Sequence, residues 1–504
     1  MADLKSSLTL LMAFLLYSSV LLVELVSGFP EKGQKASENQ FHTIEVSSLS
    51  TGASVCTRHS TALGSDKRPT STVMEVFNTH GPCSHHQAAT RSNTPPPSEA
   101  ELLSSDRSRV EYLRARRQFD VEVKPTSETN RSINKRSNNN YDTSKSTVNP
   151  PIRPGDRSGL DNYVVNITLG SPPQELTLVF DTSSDLMLTR CGPHYEQGGI
   201  LFSPNASTSY SSIPCKESST LCSQLLPKPS CSEFNGTDTC EFSIQRGDPS
   251  YVNGFLSMDR LNISTDDVFP NFLFGCAQDY EGYFLWVPGL LGFGRGPLSF
   301  VSQTQETYGG MFSYCFPANR SSTGFLTLGR SDNSYSSNMK FTPLIASSSS
   351  SSSSLYILET TSISVGGFSK NVGPSISQTI IDSSTVITRL PPDVYIPMRD
   401  EFRKQMIKYR TGDPVENLLD TCYDTSGQSP INVPPVSFTF RDGVTVNLDP
   451  SGILYAIGGR VCFAFTQSEP EDHGLIIFGN TQQKTMEVVY DVPGGKLGFR
   501  PKAC

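Results

Sequence analysis

From residue 162 onward, the chain alternates between short runs of apolar residues and turns rich in glycine, proline and asparagine. The stretch NYVVNITLGSPPQELTLVFDT, residues 162–182, has the period-two pattern of two strands joined by a tight turn. Helical periodicity is rare here and is clearest in PPDVYIPMRDEFRKQMIKY, residues 391–409. Further strand-like runs fall at residues 265–276, 322–329, 355–366, 435–447 and 484–499. The pattern predicts a mainly β body in two parts, residues 160–345 and 355–504, divided at the serine run Ser347–Ser354.

The first 27 residues have the pattern of a secretory signal peptide. Lys5 precedes an apolar run from Leu8 to Val23, and small residues follow at Ser27 and Gly28. The run is shorter than the roughly 20 residues that a membrane-spanning helix needs, which makes a permanent anchor the weaker interpretation. We therefore expect residues 1–27 to be removed and the remaining chain to have no membrane anchor.

Residues 28–150 differ from the body and are predicted to be a prosegment and linker. They are polar and proline-rich apart from one helical stretch at residues 98–118, where Leu103, Val110 and Leu113 fall near one face. This leader segment has a net charge of +3, whereas residues 151–504 have a net charge of −10. The acidic body argues against a nucleic-acid partner, and a basic leader suits a removable cover over it.

The 12 cysteines indicate disulfides rather than a metal site. Five of them crowd between Cys191 and Cys240, and an even number in a secreted chain is typical of a disulfide framework. The body lacks the closely spaced cysteine and histidine pairs of a zinc site, so we expect no metal. Cys56 and Cys83 both precede the body and can pair with each other. Six Asn-x-Ser/Thr sequons make the chain a candidate glycoprotein.

Two similar stretches supply the candidate chemistry. VFDTSSDLML, residues 179–188, and IIDSSTVITRL, residues 380–390, each place an aspartate after an apolar run and before hydroxyl residues. Two carboxyl groups held close together share one proton, so one can take a proton from water while the other donates one to a peptide carbonyl. Such a pair hydrolyses an amide without a metal or cofactor. The motifs of serine-triad, zinc-protease and nucleotide-binding enzymes are absent from the sequence. Asp181 and Asp382 are therefore the predicted catalytic pair.

Around these motifs the chain resembles the plant nepenthesin-type branch of the pepsin-like aspartic proteases. The resemblance covers roughly residues 160–504 and, more loosely, THGPCS (79–84) in the leader. Beyond the two aspartate motifs, the matching segments are GLLGFGRGPLSFVSQT (289–304), FSYCFP (312–317), ISVGG (363–367), VITRLPPDVY (386–395), LDTCYDTSG (419–427), VCFAF (461–465) and IIFGNTQQ (476–483). The resemblance implies two β-rich lobes with one aspartate each and a peptide-binding cleft between them. It also implies a disulfide between Cys422 and Cys462.

The chain departs from the family pattern at both aspartates. The glycine of the family's Asp-Thr/Ser-Gly motif is Ser183 in one lobe and Ser384 in the other. A Cβ at these places is inexpensive where φ is negative and costs about 1 kcal/mol or more where φ is positive. The resemblance assigns support of the pair, through backbone N–H groups and hydroxyls, to Thr182, Ser183, Ser184, Ser383, Ser384 and Thr385.

The flap that covers the cleft in this family also differs. It reads QRGDPSY here, so that Arg246 replaces the usual tyrosine and is followed by Gly247, Asp248 and Tyr251. An arginine that reached the aspartates would favour their doubly ionised form and shift activity to lower pH, whereas one that paired with Asp248 would leave them unaffected. The tryptophan that usually pairs with the flap tyrosine is Leu188.

These features predict a bilobal pepsin-like acid protease fold, preceded by a signal peptide and prosegment. The expected function is that of a secreted, monomeric aspartic endopeptidase made as a zymogen, without a cofactor. Its expected partners are a polypeptide substrate in the interlobe cleft and its own prosegment. The extracellular space is the expected location, with vacuole and plastid as alternatives that the resemblance allows. The competing hypothesis is a pepsin-fold protein that binds a partner without cutting it, similar to plant xylanase-inhibitor proteins.

Overall fold

Strands make up most of the regular structure, in agreement with the alternating pattern of the body. The structure is a computed structural model that describes residues 41–49, 55–58, 71–79, 81–84, 99–122 and 162–504, apart from short internal stretches. These stretches are residues 193–194, 197–198, 216–218, 226–229, 235–236, 246–250, 282–288, 331–337, 346–353, 416–417 and 471–473. The predicted signal peptide, the linker, most of the serine run and the flap residues Arg246, Gly247 and Asp248 lie outside the described residues.

The strands of the first half are numbered in chain order and include the predicted hairpin at residues 162–182. They are β1 His42–Ile44, β2 Ser71–Asn78, β3 Tyr163–Leu169, β4 Gln174–Asp181, β5 Leu188–Arg190, β6 Tyr195–Glu196, β7 Gly199–Ile200, β8 Ser211–Ser212, β9 Ser230–Phe234, β10 Thr237–Gln245, β11 Tyr251–Asn262, β12 Val268–Glu281, β13 Gly289–Gly292, β14 Met311–Cys315, β15 Thr323–Gly329 and β16 Lys340–Pro343. Strands β3 and β4 pair antiparallel, which confirms the hairpin.

The second half has shorter strands and the longest helix of the body. The strands are β17 Ile357–Val365, β18 Phe368–Asn371, β19 Gln378–Ile381, β20 Thr388–Leu390, β21 Arg410–Gly412, β22 Cys422–Asp424, β23 Ile431–Val433, β24 Val436–Phe440, β25 Val444–Asn447, β26 Leu454–Ile457, β27 Arg460–Phe463, β28 Phe465–Gln467, β29 Ile476–Phe478, β30 Glu487–Asp491 and β31 Lys496–Arg500. The α-helices among the described residues are α1 Val46–Leu49, α2 Glu99–Glu122, α3 Ser219–Cys222, α4 Phe300–Gln303, α5 Gln305–Tyr308, α6 Pro392–Gln405 and α7 Pro450–Ile453. Helices α2 and α6 confirm the two helical stretches that the sequence predicts.

Two large sheets carry the two lobes. The first has the strand order β16-β31-β30-β14-β15-β2-β3-β4-β13-β5-β12-β11-β10-β9, with β8 paired to β11. The second has the order β25-β24-β17-β19-β29-β20-β28, with β18 paired to β17. A smaller sheet, β21-β22-β27-β26, packs into the second lobe. Because the last two strands of the chain join the first sheet, the lobes share a continuous backbone platform.

The leader segment contributes a strand to this platform, which the sequence pattern did not predict. Strand β2 lies between β15 and β3 and is paired with β15 along seven residues, from Ser71 to Phe77. Its Val76 side chain has no exposed surface and packs into the main core, whereas Val73 on the same strand is 37% exposed. Removal of the whole leader would therefore take away an internal strand and leave the edges of β15 and β3 unpaired. Removal of helix α2 alone would leave this sheet intact.

This arrangement predicts that strand β2 stabilises the body. Val76→Ala is expected to lower the free energy of unfolding by about 2 kcal/mol, since it deletes buried methyl groups and leaves a cavity. The matched substitution Val73→Ala is expected to change it by less than about 0.5 kcal/mol. Equilibrium denaturation of both variants checks the prediction, and equal effects would show that β2 is not part of the cooperative core.

Aromatic side chains fix the first aspartate loop from behind. Phe180, the residue before Asp181, packs edge-on against Phe293 at 4.8 Å and against Tyr314 at 5.0 Å between ring centroids. All three rings are fully buried. Dense aromatic packing of this kind leaves the end of β4 little room to move.

All 12 cysteines lie among the described residues and are paired. The disulfides are Cys56–Cys83, Cys191–Cys276, Cys215–Cys231, Cys222–Cys240, Cys315–Cys504 and Cys422–Cys462. Cys215, Cys222 and Cys240 lie close together, but each is already in a disulfide and has no thiolate for a metal. None of the helices in the described ranges is both long and apolar enough to cross a membrane.

Candidate active site

Each predicted catalytic aspartate lies at the end of a strand that has a parallel neighbour. Strand β4 ends at Asp181 beside β13, with Gly292 directly opposite the aspartate. Strand β19 ends one residue before Asp382 beside β29, in the same parallel arrangement. A Cβ on Gly292 would lie 2.7 Å from the Ser184 carbonyl oxygen. Only glycine therefore lets the end of β13 approach the loop that follows Asp181. Neither Asp181 nor Asp382 has exposed surface.

Reciprocal hydrogen bonds tie the two aspartate loops together. The Thr182 N–H donates to Ser383 Oγ at 3.0 Å, and the Ser383 N–H donates to Thr182 Oγ1 at 3.1 Å. The Ser383 hydroxyl in turn donates to the Phe180 carbonyl at 2.9 Å. Because these bonds join backbone groups of each loop to a buried hydroxyl of the other loop, the two loops hold each other in place.

Hydroxyl and backbone donors orient each carboxylate. Asp181 accepts from the Ser183 N–H at 2.9 Å and from the Ser184 hydroxyl at 2.7 Å. Asp382 accepts from the Thr385 hydroxyl at 2.6 Å. The structure thus places Ser184 and Thr385 at corresponding outer oxygens of the two aspartates.

The serines that replace the family's glycines fit without backbone strain. Neither Ser183 nor Ser384 is among the described residues with positive φ. Both side chains are buried, and the Ser384 hydroxyl lies 3.5 Å from the Phe180 carbonyl oxygen. The added Cβ atoms therefore leave in place the Ser183 and Ser184 bonds to Asp181 and the Thr385 bond to Asp382.

Two amides that the sequence analysis did not single out hold the second loop from behind. Asn480 Nδ2 donates to the Ser383 carbonyl at 3.0 Å, and Gln483 Nε2 donates to the Asp382 carbonyl at 3.1 Å. Both follow strand β29 in the segment IIFGNTQQ and are buried. In the sequence, polar residues that directly follow an apolar strand were the pattern that could have identified these two amides.

Arg109, on helix α2 of the leader, lies between the two aspartates. Its Nη2 donates to Asp181 Oδ1 at 2.6 Å and to Asp382 Oδ1 at 2.7 Å. Nη1 donates to Asp181 Oδ2 at 2.9 Å, and Nε donates to Asp382 Oδ2 at 3.0 Å. Because one nitrogen bonds both inner oxygens, the carboxylates lie no farther apart than those two bonds together allow. The guanidinium fills the space between the two carboxylates.

Asp106, one turn earlier on helix α2, binds the second lobe. It accepts from the Val386 N–H at 2.5 Å, from the Ile387 N–H at 3.4 Å and from Arg389 Nη2 at 2.8 Å. Asp106 is fully buried, and Arg389 is 5% exposed. These three donors form an anion site beside the second aspartate loop.

Arg116, two turns after Arg109, binds the first lobe. Its Nη1 donates to the Ser183 carbonyl at 2.8 Å, and its Nη2 donates to Asp185 and to the Ser354 hydroxyl. Asp185 is itself held by the Gly296 N–H at 2.8 Å. Helix α2 therefore contacts both lobes as well as the aspartate pair.

The sequence contained a signal for these contacts. Leu103, Val110 and Leu113 form the buried face of α2, as their spacing predicts, and Asp106 and Arg109 lie within that face rather than opposite it. Charged residues inside the apolar stripe of a helix indicate buried ion pairs.

Tyr251, the described flap residue, donates to Asp279 at 3.3 Å near the surface and does not contact the aspartates.

Electrostatics couple the helix to pH. Burial by itself raises the pKa of Asp382, but the charge of Arg109 and the hydrogen bonds from Arg109 and Thr385 outweigh it and hold that pKa below the ordinary 3.8. Burial raises the pKa of Asp106 above 3.8 by more than Arg389 and the Val386 and Ile387 N–H groups lower it. The two carboxyls therefore act in opposite directions on docking.

Acid is expected to release helix α2 from the cleft. Because Asp382 binds a proton less readily when Arg109 is docked, it contributes docking energy at higher pH that is lost as pH falls through the bound pKa, which lies below 3.8. The pKa of Asp106 is raised rather than lowered, so its ionisation disfavours docking as pH rises. Asp106 therefore reduces, but does not reverse, the release of the helix by acid. Hydrogen exchange of the α2 amides, corrected for intrinsic rates, should show protection at pH 6 and its loss below pH 3.8. Equal protection of the α2 amides at pH 6 and below pH 3.8 would contradict the prediction.

Comparison with known proteins agrees with this geometry. Residues 163–330 match the family model described as xylanase inhibitor N-terminal, and residues 355–501 match the one described as xylanase inhibitor C-terminal. Aspartyl protease AED1 of Arabidopsis thaliana is 37% identical over 483 residues, with 94% of each chain covered. Aspartic proteinase nepenthesin-2 of Nepenthes gracilis is 33% identical over 376 residues, covering 72% of this chain and 81% of its own.

A solved structure shares the fold. Conglutin gamma, a basic 7S globulin from lupine seeds, superposes with a TM-score of 0.54 at 21% identity, covering 68% of this chain and 91% of its own. At that identity the likeness concerns the fold alone. With sequence relatives that match along almost the whole chain and two family models that match its two lobes, the chain belongs to the pepsin-like aspartyl protease family.

Proposed function

We propose that this chain is an aspartic endopeptidase synthesised as an inactive precursor, in which Arg109 blocks the catalytic pair until helix α2 leaves. One observation carries the proposal: a single leader guanidinium bonds the inner oxygens of both Asp181 and Asp382. That contact requires the two carboxyls to converge, and convergence of two carboxyls is what the chemistry needs.

Departure of Arg109 leaves the pair ready for hydrolysis. Without the cation, two carboxylates this close cannot both remain ionised at low cost, so they take up and share one proton. The ionised member then takes a proton from a water bound between them, and the protonated member donates its proton to the carbonyl oxygen of the peptide. Ser184 and Thr385 hold the outer oxygens, which keeps the inner oxygens directed at the water.

Secretion belongs to the same proposal. The apolar stretch at Leu8–Val23 has the pattern of a signal peptide, and six disulfides suit an oxidising compartment. An inactive precursor fits this route because a peptidase with an exposed catalytic pair would threaten its own secretory pathway. The expected partners are a polypeptide substrate and the leader helix.

Casein hydrolysis by protein from which α2 has been excised tests the proposed function. Cutting at specific sites inserted in residues 86–97 and 130–150, followed by separation of the freed helix from the protein below pH 3.8, removes α2 while β2 stays in its sheet. We expect cleavage of casein at pH 3–5 and its suppression by a statine-type inhibitor, which mimics the tetrahedral intermediate. Intact casein after complete excision, with native near-UV circular dichroism, would overturn the proposal.

The serines in the aspartate motifs are expected to have little effect on this activity. Because φ is not positive at Ser183 or Ser384, restoring glycine removes no strain. The double variant Ser183→Gly/Ser384→Gly should lose about 1 kcal/mol of stability through backbone entropy and change kcat/KM by no more than about twofold. Steady-state kinetics on a peptide substrate checks this, and a gain of tenfold or more would show that the serines impair the site.

A second candidate function is binding of a partner protein without cleavage. The descriptions of the two matched family models and the replacement of the usual tryptophan by Leu188 favour it. The same casein experiment distinguishes the candidates, because a non-cleaving protein would leave casein intact whether or not α2 is present.

A further inference from the structure

Helix α2 makes two charged contacts that are not needed to block the aspartates. Arg109 alone fills the space between Asp181 and Asp382. Asp106 and Arg116 instead occupy separate sites, one on each lobe, at either side of the catalytic pair. These sites belong to the body of the protein, so they persist when the helix leaves.

The site on the second lobe is built for an anion. Its ligating atoms are the Val386 N–H, the Ile387 N–H and the Arg389 guanidinium, and all three are donors. Charge-assisted bonds from a guanidinium and from backbone N–H groups are typical of carboxylate recognition. Arg389 lies on β20 opposite Ile477, just as Leu188 on β5 lies opposite Leu290 in the first lobe. The second lobe therefore has an arginine at the position where the first lobe has a leucine, although the strands around them pair in the same way.

The site on the first lobe is built for a cation. Arg116 is bonded there by the Asp185 carboxylate, the Ser183 carbonyl and the Ser354 hydroxyl. Asp185 is fixed by the Gly296 N–H, so its orientation does not depend on the helix. Asp185 and Val386 each come four residues after a catalytic aspartate, so the two sites are counterparts of opposite polarity.

We propose that these sites select the charge of the bound peptide: the Arg389 site takes an acidic side chain and the Asp185 site takes a basic one. The inference rests on the proposed function only in that a peptide occupies the cleft. Asp106 and Arg116 are ten residues apart, which is about 15 Å along a helix. An extended peptide spans that distance in about four to five residues, which sets the spacing of the acidic and basic side chains.

Binding of labelled peptides to the protein with α2 excised tests the inference, with fluorescence anisotropy at pH 5.5 as readout. The peptides place Glu and Lys four or five positions apart in either order, and matched controls replace Glu or Lys with Gln. In one order of the two residues, each Gln replacement is expected to weaken binding at least about tenfold, as loss of a charge-assisted bond does. Equal affinities across the set would overturn the inference.

Variants of the protein assign each preference to its site. Arg389→Gln should abolish the preference for Glu and keep that for Lys, and Asp185→Asn should do the reverse. Arg389→Glu should prefer Lys at the position where the wild type prefers Glu. Should a variant fail to fold, the peptide substitutions alone still decide.

Cleavage is read separately from binding, by chromatography of each labelled peptide after its incubation with the protein. Charge-selective binding without cleavage would reject the proposed peptidase and leave the selectivity standing. Cleavage with no charge preference, or no binding by any peptide, would reject the selectivity.

Discussion

Replacing Arg109 with alanine is expected to raise the peptidase activity of the uncut chain by about 100-fold or more at pH 4–5. Arg109 is 2% exposed and is the bonding partner of both aspartates, which have no exposed surface. Truncating one partner of a buried ion pair typically costs about 3–5 kcal/mol, because the remaining charge stays buried. Here that cost falls on the docked helix, since the aspartates can regain water only when α2 leaves.

Arg107 provides the control for this experiment. It lies on the same helix but is exposed, so Arg107→Ala changes the charge of α2 by the same amount without touching the cleft. Activity of the uncut Arg107→Ala chain should match wild type within about twofold. If uncut Arg109→Ala is as inactive as wild type while excised wild type cleaves casein, Arg109 is not what closes the site.

Asp181→Asn is expected to lower kcat/KM of the excised protein by about 100-fold to 10,000-fold, the range that a general acid–base group supplies. Asparagine keeps the shape of the side chain and can still accept from the Ser183 N–H, but it cannot exchange a proton with water. The variant pair therefore has no shared proton, and it cannot both take a proton from water and donate one to the peptide carbonyl. Asp382→Asn should have a similar effect, because the two carboxyls act as one unit.

Asp400 supplies the matched control for the aspartate substitution. It lies on helix α6, is exposed, and bonds only Arg399 in the described contacts. Kinetics of excised Asp400→Asn should equal wild type within about twofold. An Asp181→Asn protein that retained more than a tenth of wild-type activity would show that another group activates the water.

The convergence of Asp181 and Asp382 was predictable because its signal is local and occurs twice. An apolar strand that ends in Asp and two hydroxyl residues specifies where the carboxylate lies and what supports it, and two copies specify two lobes. The predicted hairpin at residues 162–182 and both predicted helices followed from periodicity in the same way. Whether Ser183 and Ser384 fit depended on φ, which only the three-dimensional structure supplies.

The role of the leader was only partly predictable, since its contacts are distant in sequence. Helix α2 and its apolar face were recognised, yet the partners of Arg109 lie 72 and 273 residues away. Strand β2 was missed because one short strand of mixed exposure in a polar segment gives a weak pattern until its neighbours β15 and β3 are known. The sequence described the leader as a cover, whereas the structure divides it into two strands, β1 and β2, that pair with strands of the body and a helix, α2, that contacts the two aspartates.

In the proposed precursor, Asp181 and Asp382 form one site that Arg109 occupies. Calorimetric titration of the uncut chain with a statine-type inhibitor at pH 5 tests this most directly, because the inhibitor and the guanidinium require the same space. We expect no measurable binding to wild type, one inhibitor per chain for Arg109→Ala, and none for Arg109→Ala/Asp181→Asn. Equal binding by wild type and Arg109→Ala, or no binding by a folded Arg109→Ala chain, would contradict it.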